Sequence, residues 1–209
     1  MLNKFKVLIV IAALAITLSL MSNTYSRYVA SSEGNVQIEF AKWQLLVNTV
    51  DVTSSSTSNI SFTPVIEANK NVAKDKVAPS SIGYFDIEID PTNSDVSFQY
   101  TVELDIDIED VPDLMITKYA VLPDNYIEGN SLEFTTLNDG KIIDIMRYNT
   151  DEFKKTTLRI YFQWFEGETE ILTETMDDIA DSNIGYTAAT QDTTFAINAN
   201  INFEQYLGE

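Results

Sequence analysis

Any chemistry done by this 209-residue chain has to be done with oxygen ligands, amines and hydroxyls, because it contains no His and no Cys. That excludes imidazole and thiolate zinc sites, disulfides, Cys nucleophiles, Ser–His systems and His general bases. Carboxylates dominate what is left: 32 Asp and Glu stand against 13 Lys and Arg, for a formal charge of −19. Glu103, Asp105 and Asp107 are spaced two apart, a pattern that can serve acid–base work or Ca²⁺ binding but is more often the charged, wet face of a strand that resists edge aggregation. Asp90, Asn93 and Asp95 gather oxygen ligands in one turn and are the candidate Ca²⁺ residues. They lack the Gly-hinged twelve-residue pattern of an EF-hand, and turn chemistry accounts for them as well. Glu166, Glu168, Glu170, Glu174, Asp177, Asp178 and Asp181 form the densest acidic run and read as a solvated loop. There is no HExxH and no Gly-x-Ser-x-Gly, and nothing points to a Ser–Lys dyad, so the expectation is a non-enzyme without metal or cofactor.

Charge of this size and sign repels phosphate, which argues against nucleic acid and against anionic lipid as partners. It favours solubility, and it makes any self-association sensitive to salt, acid or divalent cations.

These residues are carried by a chain with two differently written parts. Lys4 and Lys6 give residues 1–6 a basic n-region, and Val7 to Met21 is an unbroken run of apolar, Ser and Thr residues. The run has the length of a signal peptide and falls short of the roughly 20 apolar residues that span a bilayer. Thr24 and Ser26 then place small residues before a cut between Ser26 and Arg27. The expected organisation is a signal-peptide helix over 1–26, which serves as an anchor if it is not cleaved, a mobile segment over 27–35, and a β-sandwich domain over 36–209. Membrane contact is expected only through the leader.

From Val36 the chain alternates. Val36, Ile38 and Phe40 fall on one face and Ala41, Trp43, Leu45 and Val47 on the other, so a strand here needs a bulge near Phe40–Ala41. Ile60 to Ile66 reads as a short edge strand because of Pro64. Gly83 to Asp90 turns Phe85, Ile87 and Ile89 inward, and Val96 to Ile108 turns in Val96, Phe98, Tyr100, Val102, Leu104, Ile106 and Ile108. Met115 to Val121 follows as a further strand. Ser131 to Thr136 and Lys141 to Tyr148 read as a hairpin about Asn138-Asp139-Gly140. Thr157 to Phe165 and Thr193 to Tyr206 alternate again, and Glu166 to Gln191 between them is a short helix or a long loop. Trp43 and Trp164 stand in register with inward aliphatics, which favours core packing over a sugar-binding face. The sum is an all-β protein of eight to ten strands, an antiparallel two-sheet sandwich of jelly-roll-like form.

The leader ending Thr24-Tyr25-Ser26, the aromatic Tyr28 just past the cut, and the segment Phe40 to Asn48 ending in a polar turn resemble the start of the TasA/camelysin family. The short strand over 83–89, the long strand over 94–104 and the closing strand over 197–205 are similar to that family's later strands. The resemblance implies export and processing by the signal peptidase SipW, and a jelly-roll subunit of the bacterial cell surface or biofilm matrix. It further implies self-assembly into fibres by donation of the mature N-terminal strand, here Tyr28, Val29, Val36, Ile38 and Phe40. Folding of that segment back onto its own sheet is the competing outcome. A monomeric adhesin or carbohydrate-binding jelly roll, and a membrane-tethered surface protein with an uncleaved leader, are the alternatives in function.

Overall fold

The computed structural model describes residues 2–24, 38–53, 60–106, 111–137, 139–169, 172–191 and 193–208. Two units follow one another, residues 1–39 and residues 40–209. The first holds the helix α1 (Leu2–Thr24). Its Leu-, Ala- and Ile-rich sequence has no Gly or Pro to interrupt it. Among the described residues no helix is long and apolar enough to cross a membrane.

The second unit is a two-sheet antiparallel sandwich, as its alternating segments lead one to expect. The strands are β1 (Leu46–Val47), β2 (Val50–Asp51), β3 (Val65–Ile66), β4 (Ile82–Asp90), β5 (Phe98–Ile106), β6 (Leu114–Val121), β7 (Thr135–Thr136), β8 (Lys141–Met146), β9 (Thr156–Trp164) and β10 (Ile197–Gln205), with helix α2 (Glu174–Thr190) between the last two. The larger sheet runs β2-β1-β4-β9-β6-β7, and β3 also pairs with β4. The smaller runs β10-β5-β8. Phe85, Ile87, Ile89, Leu158, Ile160, Phe162 and Trp164 from the first sheet close on Phe98, Tyr100, Val102, Leu104, Ile142 and Met146 from the second. Each such side chain contributes about 1.5–3 kcal/mol by leaving water, so this apolar seam is what holds the two sheets together.

Two local devices shape the edges. Asn48 and Thr49 both have positive φ (46° and 70°) and make the two-residue turn of the β1–β2 hairpin. Asn48 locks that turn to β4 by donating to the Asp86 carbonyl and accepting from the Glu88 N–H. Gly83 lies on the inner face of β4, where a Cβ would come within 2.5 Å of the Phe162 ring. The missing side chain leaves room for the tip of that ring against the strand.

The structure corrects two local expectations. No continuous strand with a bulge near Phe40–Ala41 forms: residues 38–45 lie outside any strand, and only Leu46–Val47 pairs. Leu45 and Val47 still go fully inward with Trp43 beside them, so the burial pattern survives without the ladder. Among the described residues a register shift falls instead in β6, between Ile116 and Lys118. Asp139-Gly140 is not the turn of a hairpin. β7 pairs with β6 in the larger sheet while β8 pairs with β5 in the smaller, so the connection crosses from one sheet to the other. Gly140, at φ +70°, seals the crossing by accepting from the Leu104 N–H.

The outer face of the larger sheet is also less wet than simple alternation implies. Arg159 projects outward from β9 and is nonetheless 5% exposed. Asp86 holds its guanidinium in two hydrogen bonds of 2.9 and 3.0 Å, Glu128 accepts a third at 2.8 Å, and the Tyr84 ring lies 3.8 Å beneath it. Glu128 and Tyr126 come from the segment after β6, which folds over this face.

Candidate functional site

Three places bear on function: the start of the body with the free edge of the smaller sheet, the turn at Asp90–Asp95, and an acidic group that the sequence did not single out.

Thr24 closes α1. Ser26, Arg27, Tyr28, Val29 and Val36 lie outside the described residues. Ile38 and Phe40 are described and are 78% and 95% exposed, so their apolar side chains are not spent on the core of their own chain. Toward the end of the chain, β10 is an edge strand of the smaller sheet and, among the described residues, pairs only with β5, in nine consecutive residue pairs without a bulge. The Tyr206 N–H donates to Ser97 O, which fixes the phase of the ladder. Even-numbered residues of β10 direct their backbone groups to β5. Ile197, Ala199, Ile201, Phe203 and Gln205 therefore turn theirs to the open side. None of the nine is Lys or Pro, the residues that blunt an edge against further pairing. Beside the start of β10 the sandwich opens into a groove of about 530 Å³, whose walls include Phe62, Ile66, Phe85, Phe162 and Phe195.

At the turn after β4, Asp90 accepts from the Thr92 N–H and hydroxyl, and Asp95 accepts from the Lys42 N–H at 2.9 Å. Asn93 is exposed. Both carboxylates are thus engaged in fixing the turn and tying residue 42 to it.

The acidic run after β9 is not the uniformly solvated loop that composition suggests. Residues 174–190 form α2, and its buried residue is Asp177, at 1% exposure. Asp181, one turn on, is half-buried, and Asp113, at the entrance to β6, is 2% exposed. Oxygens of these three carboxylates all lie within 4.8 Å of one another. The neighbouring donors are partly used: Gly167 N–H donates to Asp177 Oδ2 and Trp164 Nε1–H to Asp181 Oδ1, each at 2.9 Å. No donor among the described residues reaches either oxygen of Asp113 or the second oxygen of Asp177. Loss of water, followed by the charges of Asp181 and Asp177, pushes the Asp113 carboxyl up to about 7. Burial likewise raises Asp181, opposed by its bond from Trp164 and reinforced by Asp177, Glu166 and Asp178. Asp181 also lines a cavity of about 190 Å³ between α2 and the segment 77–79.

No protein-family model and no curated protein matches this chain.

Of the acidic group, sequence reasoning had Asp177 and Asp181 in view only as members of a charge run, and it missed Asp113. The usable signal was the spacing of Asp177 and Asp181, four apart on one helix face together with Ala180 and Ile184. Nothing local marks Asp113, which the fold alone brings to that face.

Proposed function

We propose that the chain is an exported, non-enzymatic structural subunit of a bacterial cell surface or biofilm matrix. It assembles by laying its leading segment, Tyr28 to Phe40, along β10 of the next copy. The observation that carries this reading is the open side of β10, nine residues long, unbulged and without a Lys or Pro to block it. A fourth strand added there would satisfy the backbone groups of Ile197, Ala199, Ile201, Phe203 and Gln205, which supplies affinity without demanding a particular sequence. Side chains in the added strand would supply the register, and the groove walled by Phe62, Phe85, Phe162 and Phe195 is where apolar ones such as Ile38 or Phe40 would be received. Repetition of one such head-to-tail contact gives a filament when its rotation does not close into a ring.

The leader fits export: a basic n-region ahead of an apolar helix and small residues at Thr24 and Ser26 suit signal-peptidase cleavage before Arg27. Electron microscopy and sizing of protein beginning at Arg27 test the reading. Filaments that vanish when residues 27–35 are deleted support it. A monomer at every salt concentration and pH would favour the adhesin or sugar-binding module instead.

A further inference from the structure

Helix α2 turns the wrong residues inward. Its inner face is Asp177, Ala180, Asp181 and Ile184, while Met176, Ile179 and Tyr186 point to solvent. An amphipathic helix held by the hydrophobic effect would do the reverse. Two carboxylates delivered by the helix meet a third, Asp113, at the mouth of β6, and three oxygens among them have no donor among the described residues. Like charges packed together and desolvated do not hold a helix in place; a cation between them does.

We infer that Asp113, Asp177 and Asp181 form a binding site for one hard divalent cation, Ca²⁺ in preference to Mg²⁺, which pins α2 to the ends of β6 and β9. The chemistry of the donors selects the ion. All three ligands are carboxylate oxygens, and no imidazole or thiolate exists in the chain to recruit zinc or copper. Ca²⁺ takes oxygens at about 2.3–2.6 Å, so two ligands on one ion cannot be more than about 5 Å apart, and the observed 4.8 Å limit meets that condition. The oxygens are already aimed. Trp164 Nε1–H and Gly167 N–H each hold one oxygen of a ligand and so fix its orientation, the part that supporting groups play around a metal. The free oxygens of Asp113 and Asp177 are buried, and the cavity beside Asp181 gives an ion and its remaining water ligands a way in. Tolerance of irregular, water-completed geometry favours Ca²⁺ over Mg²⁺, which demands a near-ideal octahedron.

The test is thermal unfolding of the full-length chain, stripped with a chelator and titrated at neutral pH with CaCl₂ or MgCl₂, beside Asp113→Asn and Asp181→Asn. Ca²⁺ at a hundredfold excess over its Kd should raise Tm by about 5 °C or more, with Mg²⁺ less effective and the rise lost in both variants. Tb³⁺ gives a second reading, because Trp164 touches the ligand Asp181: excitation through Trp should yield Tb³⁺ emission that Ca²⁺ displaces. That titration decides the matter on the unsubstituted chain even where a variant does not fold. Equal shifts with Ca²⁺ and Mg²⁺ that persist in both variants would reduce the effect to screening of the acidic surface and overturn the proposal. Absence of both a shift and Trp-sensitised emission would overturn it too, leaving the carboxylates to share a proton.

Discussion

The residue with most at stake is Asp113. Its carboxyl is held up to about 7 in the folded protein and titrates near 3.9 in an unfolded chain, at roughly ordinary aspartate values. The groups that face it, Asp177 and Asp181, are both acidic, and Glu166 and Asp178 press on Asp181 in turn. Between those two pKa values the folded state binds a proton that the unfolded state does not. Metal-free protein should therefore gain stability as pH falls from about 8 to about 5, on the order of 2–4 kcal/mol, and lose it again as pH rises through 7. Denaturant unfolding at the two pH values measures this, and saturating Ca²⁺ should flatten the dependence. A second residue carries strain of another kind. Thr49 is β-branched yet sits at φ 70°, so Thr49→Gly should stabilise the protein by about 1 kcal/mol in the same assay. The polar turn at Asn48 was readable from sequence, since Asn is at home at positive φ. The acidic site was not, because Asp113 is distant from α2 along the chain and its isolation from donors exists only once β6 and β9 are paired.

At the scale of elements, strict alternation carried the most information. β4, β5, β9 and β10 turn inward the side chains their period-2 patterns select, among them Phe85, Ile87 and Ile89 from β4. Alternation failed where burial came without pairing, as at Trp43 and Leu45, and where one chain segment changes sheets at Gly140. The residues read as they would in an ordinary strand at the first place and an ordinary hairpin turn at the second, and what differs is the neighbour available to the backbone. It also failed on the outer face of β9, where the segment carrying Tyr126 and Glu128 buries Arg159. Close packing between β4 and β9 makes a sharp prediction: Gly83→Ala drives a methyl into the Phe162 ring and should cost about 1–3 kcal/mol, read as a lower denaturation midpoint at unchanged slope. The open edge of β10 makes another. Ala199→Pro removes an N–H that faces away from β5, so the ladder to β5 stays whole and stability should change by less than about 1 kcal/mol. Filament formation should nonetheless stop, because the added strand loses an acceptor's partner and meets the proline ring.

The whole chain carries a net charge of −19, and the apolar side chains of Ile38 and Phe40 ahead of the sandwich stay exposed. Repulsion between copies opposes assembly, so filament growth should speed up with salt, most steeply below about 0.15 M where the screening length still exceeds contact distances, as light scattering would follow. The contact itself can be watched amide by amide. Hydrogen exchange on β10 compares filaments with monomer: the amides of Asn198, Asn200, Asn202 and Glu204, bonded to β5, should be protected in both. Those of Ile197, Ala199, Ile201, Phe203 and Gln205 should exchange freely in the monomer and become protected only in the filament. Odd-numbered amides that exchange as fast in filaments as in monomer would contradict strand addition at this edge.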